Sequence, residues 1–139
     1  MTTRAEVVTE ARTWMSTPWS HQHRLRGVGT DCAGLALGVA KELNLANPDV
    51  PAYSKQPSNG SLLKYCNENM QRVNGLALGR VALMKFGTEP QHLGIIGDYP
   101  LGGFSLIHAY AKSREVVEHR IDDLWLNRIV AIFELPGVA

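Results

Sequence analysis

The sequence predicts an α+β domain, with N-terminal helices packed on a C-terminal antiparallel sheet. Two observations carry this prediction. Before Gly75, apolar residues recur at helical spacing; after it, five short segments rich in β-formers follow one another, most of them separated by turn residues. Helices first and strands after is the order of an α+β domain. At 139 residues the chain fits one domain, 1–139, and is long enough to bury a core.

The elements follow in order. Ala5 to Met15 reads as a helix, because Val8, Ala11 and Met15 share a face and Pro18 stops continuation. Residues 18–30 are polar, basic and carry two glycines, so they read as a loop. Asp31 can cap a second helix that starts at Cys32 and buries Ala36, Ala40 and Leu43. The three prolines between Asn47 and Pro57 mark a connector. Asn59 to Val73 reads as a third helix, with Leu62, Leu63, Cys66, Met70 and Val73 on one side. The strand segments are Val81 to Phe86, Leu93 to Gly97, Phe104 to Tyr110, Glu115 to Ile121 and Arg128 to Leu135, with a helical turn at Asp122 to Leu126.

Composition excludes several classes. With 45 % apolar and 19 % charged residues, the chain is not of the disordered type. A formal net charge of +1 gives no general drive toward nucleic acid or a membrane surface. No apolar run approaches the roughly 20 residues of a spanning helix. The opening Met1-Thr-Thr-Arg-Ala-Glu lacks the apolar stretch of a secretory signal. Synthesis in a cytosol is therefore expected, with some other route if the target lies outside. Cys32 and Cys66 stand in different surroundings and are not read automatically as a disulfide.

The first chemical feature is Gly29-Thr30-Asp31-Cys32-Ala33-Gly34-Leu35. A cysteine in the first turn of a helix faces unpaired backbone N–H groups and the positive end of the helix dipole, which favour thiolate. Ala33 and Gly34 leave room for a substrate or a neighbouring strand. Taken alone, this pattern fits an ordinary buried cysteine. The second feature is a pair of histidines flanking a hairpin loop, Asp98 to Gly103. With the hairpin symmetric about position 100, His92 lies opposite His108, Gly94 opposite Leu106 and Ile96 opposite Phe104. Opposed side chains share a face about 5 Å apart. A base and its orienting partner need this relation, and Gly94 would keep the face beside them open. A one-residue slip would send one histidine to the other face.

Asp31-Cys32-Ala33-Gly34-Leu35 resembles the nucleophile motif of the NlpC/P60 cysteine peptidases. His92-Leu-Gly-Ile-Ile96 is similar to their strand that begins with the catalytic histidine, and Ile107-His108-Ala109 to the segment bearing their third, polar catalytic residue. Thr17-Pro18-Trp19-Ser20-His21-Gln22 resembles the stretch before the nucleophile in the phage-encoded cell-wall peptidase branch. The resemblance implies a papain-like fold over nearly the whole chain. It implies a thiol peptidase that cuts an amide bond in peptidoglycan stem peptides, with Cys32, His92 and His108 catalytic and no cofactor. It also implies a peptidoglycan or muropeptide substrate, phage tail proteins as partners, and delivery to the wall by a virion tail. Three departures stand out. Ala33 replaces a common serine, Trp19 a common tyrosine, and Arg80 an aspartate before the first strand.

Other readings stay open. The loop bearing His21, His23, Arg24 and Arg26 either lines a cleft, with Trp19 and Asp31, and holds stem-peptide carboxylates, or is a solvated basic loop. The histidines and Cys32 lack any ligand pair at structural-zinc spacing, so no metal is expected. Cys66, His119, Trp14 and Trp125 read as structural. Two alternatives to a wall peptidase are a toxin-like amidase with this fold and an inactive wall-binding or tail-tip module.

Overall fold

The computed structural model describes residues 2–45, 61–87 and 90–138. The connector expected at Asn47 to Pro57, and the first residues expected in the third helix, lie outside them. The order is α1 (Arg4–Arg12), β1 (Arg24–Leu25), β2 (Gly29–Thr30), α2 (Cys32–Glu42), α3 (Ser61–Asn69) and β3 (Gln71–Val73). Then come β4 (Val81–Lys85), β5 (Pro90–Asp98), β6 (Phe104–Tyr110), β7 (Glu115–Arg120), α4 (Asp123–Arg128) and β8 (Ile129–Glu134). Six strands form one antiparallel sheet in the order β3-β8-β4-β5-β6-β7. The α+β class and the layout of helices before sheet are as the sequence predicts.

Local chemistry sets the helix starts. Thr3 and Glu6 form a reciprocal capping box on α1. The α1 helix buries Val7, Val8 and Ala11 and ends at Arg12, before the expected Met15, which is 40 % exposed. Asp31 caps α2, accepting from the Gly34 N–H at 2.8 Å. Every residue from Ala33 to Ala40 is buried, so α2 is apolar all round, as a central helix must be.

The sheet is covered on both faces, which explains the unbroken apolar runs of β4 and β5. One face, with Val81, Leu83, Leu93, Ile95, Ile107 and Ala109, packs against α1, α2 and α3. The other carries Ala82, Met84, Ile96 and Leu106, covered by Ile121, Trp125, Ile129 and other partly buried residues. At the β7 edge, backbone bonds from Ser16 to Val116 (3.0 Å), Val116 to Thr17 (2.9 Å) and Trp19 to Arg114 (2.8 Å) add the segment after α1. Arg12 fastens α1 to the strand ends by donating to Glu118 and Asp98 at 2.8 and 2.9 Å.

Three expectations are corrected. Gln71 to Val73 is not the tail of the third helix but strand β3, paired with β8, because edge pairing there satisfies backbone that a helix end would leave open. The loop 18–30 contains the small β1–β2 ribbon, with Arg24 opposite Thr30. The β5–β6 hairpin turns about Leu101 rather than position 100: Ile95 faces Ile107 and Ile96 faces Leu106. A turn bond from Gly102 N to Tyr99 O and another from Tyr99 N to Gly103 O close the longer loop. Each pairing sum thus rises by two, which moves the opposed partners but keeps every side chain on its face.

Candidate active site

Asp31 organises the approach to Cys32. Its second carboxylate oxygen accepts from the Gln22 N–H at 2.6 Å, and its own N–H donates to the His23 carbonyl at 3.2 Å. The 20–31 loop is thereby folded back on the start of α2. Gly34 makes this possible, since a Cβ there would lie 2.2 Å from the His23 carbonyl oxygen. The room that the small residue leaves is filled by the chain's own loop.

Cys32 is partly exposed and unpaired, whereas Cys66 is buried in the core. Protein packed around the Cys32 sulfur, and then the Asp31 carboxylate, push its pKa up to about 12. Backbone N–H groups of Leu93, Ala33 and Cys32 point at the sulfur and oppose the rise without cancelling it. The expected bias toward thiolate is therefore overturned for the free protein: desolvation and the capping carboxylate outweigh the helix start. The Cys32 side chain rests as a neutral thiol against the β5 backbone.

His92 is the residue before Leu93 in β5. It pairs with Met84, so it projects onto the second face of the sheet, and it is 5 % exposed. Its Nε2 lies 2.7 Å from Nδ1 of His108, which is 0 % exposed. Continuing the hairpin register sets Gly94, not His92, opposite His108, and the two histidines meet along the diagonal. Gly94 does not hold the face open as expected. A Cβ there would come 2.5 Å from Leu106 Cδ1 and 3.2 Å from the His108 Cβ, so the missing side chain lets β6 close in. Among the described residues, no hydrogen bond joins the sulfur to His92.

The surroundings of the pair differ from those the sequence predicts. His119 Nε2 lies 2.8 Å from His108 Nε2, and its Nδ1 lies 3.0 Å from the Arg120 carbonyl oxygen. Trp125 sets its edge to His108 at 5.0 Å, Tyr110 stacks on His108 at 5.2 Å, and Phe86 lies 5.2 Å from His92. Arg128 lies over the Trp125 and Phe86 rings. His119 shares parity with Val117, which faces His108 in β7, and so lies on the same side. Trp125, read as general packing, forms the wall of this histidine group.

The remaining expected site residues are dispersed. Arg26 donates to Glu10 at 3.1 Å and to Thr13 at 3.0 Å, so it is engaged by α1 rather than presented to a ligand. Trp19 packs partly buried against the main core, and Asp31 serves as the helix cap. His21 and Arg24 are half-buried in the loop and its ribbon, beside exposed His23, whose Nδ1 meets Ser20 Oγ at 2.6 Å. Among the described residues, no group of three or more His, Cys, Asp or Glu converges as metal ligands would.

Burial holds His92 at about 3, helped by Arg128 and His119, and His108 at about 2, helped by His92 and His119. Both are thus neutral in the folded protein. The unfolded chain takes up these protons below about pH 6.5, while the folded one refuses them until far lower. Stability should therefore fall as pH drops through this window. From about pH 7 to about pH 5 the expected loss is about 1–2 kcal/mol per histidine. Denaturant unfolding of wild type and His92→Gln over this range measures it; identical pH dependence in the two would contradict a buried neutral pair.

Comparison with known proteins bears on the fold. No family model matches the sequence, and no curated protein matches it. Solved structures do. The NlpC/P60 domain of the peptidoglycan hydrolase SagA is 20 % identical, covers 95 % of this chain and 98 % of its own, and superposes with a TM-score of 0.61. An NlpC/P60 family protein from Bacillus cereus is 14 % identical at a TM-score of 0.70; the match covers 96 % of this chain but 40 % of that one. An N-acetylmuramoyl-L-alanine amidase from Bacteroides uniformis is 10 % identical, with 96 % and 97 % covered and a TM-score of 0.64. The chain has the papain-like α+β fold of NlpC/P60 domains.

Proposed function

We propose that this protein is a thiol hydrolase that cuts an amide bond in peptidoglycan stem peptides, with Cys32 as nucleophile, His92 as base and His108 as its orienting partner. The observation that carries the reading is the buried His92–His108 hydrogen bond on the strand whose next backbone N–H holds the Cys32 sulfur. The similarity in fold to a peptidoglycan hydrolase domain and to an amidase supports the substrate class.

The chemistry follows from the groups present. His108 occupies Nε2 of His92, which leaves Nδ1 for the thiol. Proton transfer requires the sulfur to turn from the Leu93 N–H to that nitrogen, a contact that substrate binding can tighten. With its pKa near 12, the thiol loses its proton as it attacks rather than beforehand. Sulfur bonds to the amide carbon, Nδ1 takes the proton, and the N–H groups at the start of α2 face the developing oxyanion. Collapse breaks the C–N bond, and His92 returns the proton to the leaving amine. Water, deprotonated by His92, then cleaves the thioester and restores the thiol. His21 and Arg24 remain candidates for binding stem-peptide carboxylates.

The likeness of Thr17 to Gln22 to the phage-encoded branch supports a phage-tail setting for this activity. The test of the function is direct. Purified protein is incubated with defined muropeptides, and products are read by mass spectrometry. A new pair of fragments whose masses add up to that of the substrate plus one water is expected, unaffected by a chelator. Intact muropeptides, with binding retained, would favour an inactive wall-binding module instead.

A further inference from the structure

The three histidines form a chain with a fixed end. His119 Nδ1 faces the Arg120 carbonyl oxygen at 3.0 Å, and a carbonyl only accepts. Nδ1 of His119 therefore carries the proton. A neutral His119 then presents a lone pair at Nε2, so across the 2.8 Å contact His108 Nε2–H donates. Neutral His108 is left with its lone pair on Nδ1, and across the 2.7 Å contact His92 Nε2–H donates. That leaves the lone pair of His92 on Nδ1, the nitrogen that a base must offer to the thiol.

We infer that His119, backed by the Arg120 carbonyl, is a positioning residue that sets the tautomer of His92 through His108. The inference rests on the reading of His92 as the base. Packing supports it. His92 and His108 rings meet at 72°, His108 and His119 at 73°, each edge to face with centroids 4.9 Å apart. Tyr110 stacks on His108 at 19°, and Trp125 closes on both His108 and His119. A half-turn of the His108 ring would put carbon where both nitrogens bond, so ring rotation is costly and the proton position is what remains to be set. His119 itself is half-buried in β7 and pairs with Leu106, on the face of the sheet opposite the one that packs against α2. Its effect is transmitted, not direct.

The experiment reads tautomers by ¹H–¹⁵N correlation spectra of ¹⁵N-histidine-labelled protein at about pH 8, where free histidine is neutral. In wild type, Nε2–H forms of His92 and His108 and an Nδ1–H form of His119 are expected. In His119→Leu the acceptor is gone, and His108 and His92 should shift toward Nδ1–H. kcat for muropeptide cleavage should then fall at least tenfold with KM little changed, short of the roughly 10⁴-fold loss of a wrong-tautomer triad. His119→Gln offers a carbonyl oxygen to His108 Nε2–H and should restore both tautomer and most of kcat. A wild-type His92 in the Nδ1–H form, or an unchanged His92 tautomer in His119→Leu, would overturn the inference. If that variant does not fold, the wild-type spectrum and His119→Gln decide. Because the spectra need no substrate, absence of hydrolysis would count against the proposed reaction without touching the relay.

Discussion

Cys32→Ala is expected to abolish amide cleavage, with kcat/KM lower by at least about 10⁴-fold, while the protein stays folded. The substitution removes one sulfur from a partly exposed site at the start of α2, and the cap that holds the helix belongs to Asp31. No large cavity is made, so the loss would be chemical. Circular dichroism and an unchanged denaturation midpoint check the fold, and muropeptide kinetics check the chemistry. The thiol's reactivity gives a companion measure. Iodoacetamide should label Cys32 before Cys66, because Cys66 is fully enclosed. Labelling of Cys32 should still be slower than that of a free thiol, since both sulfurs are pushed up to about 12 and Cys32 lacks a preformed thiolate. Rapid labelling at neutral pH would point to an ion pair with His92 that the structure does not contain.

The His108 series is the second large effect. In asparagine the amide oxygen stands two bonds from Cβ, as Nδ1 does in histidine, so Asn can accept from His92 Nε2–H. Glutamine places its amide one bond further out, nearer the His119 side. Alanine offers no acceptor and leaves a hole at a residue that is 0 % exposed. Activity should therefore fall in the order His108, Asn, Gln, Ala, with His108→Ala down by roughly 10³–10⁴-fold and His92→Ala at least as damaging. Measured kcat/KM on one purified muropeptide, with folding verified, ranks them. A folded His108→Ala as active as wild type would remove His108 from the catalytic set and leave the buried hydrogen bond with a purely structural role.

Much of the fold was readable because its signals are local. The Asp31 cap, the helical burial stripe of α1, the apolar run of α2 and the β-rich runs from Val81 onward follow from neighbouring residues alone. What failed depended on distant partners. Gln71 to Val73 continues a helical stripe in sequence and becomes a strand only because β8 offers it an edge. The hairpin centre moved because Gly102 and Gly103 adopt positive φ, which lengthens the turn beyond the symmetric reading. The faces survived because the pairing moved by two residues, an even step, and the His92–His108 contact survived along the diagonal. The state of the thiol was not readable at all. Motif logic counts the helix start, but the sign of the shift depends on how much protein surrounds the sulfur, and on a carboxylate that the motif itself supplies. His119 was passed over because a single histidine in an edge strand carries no signal until the register with β6 is known.

The central claim is that Cys32 forms a covalent bond to the acyl part of a stem-peptide amide. Acid-quenched mixtures of protein and muropeptide, examined by intact-protein mass spectrometry and peptide mapping, test it most directly. A transient adduct of the acyl fragment's mass is expected on the peptide bearing Cys32, absent in Cys32→Ala and longer-lived when His92 is replaced by a weaker base. Product formation at wild-type rate with no adduct at Cys32 in any quench, or with Cys32→Ala still active, would contradict it.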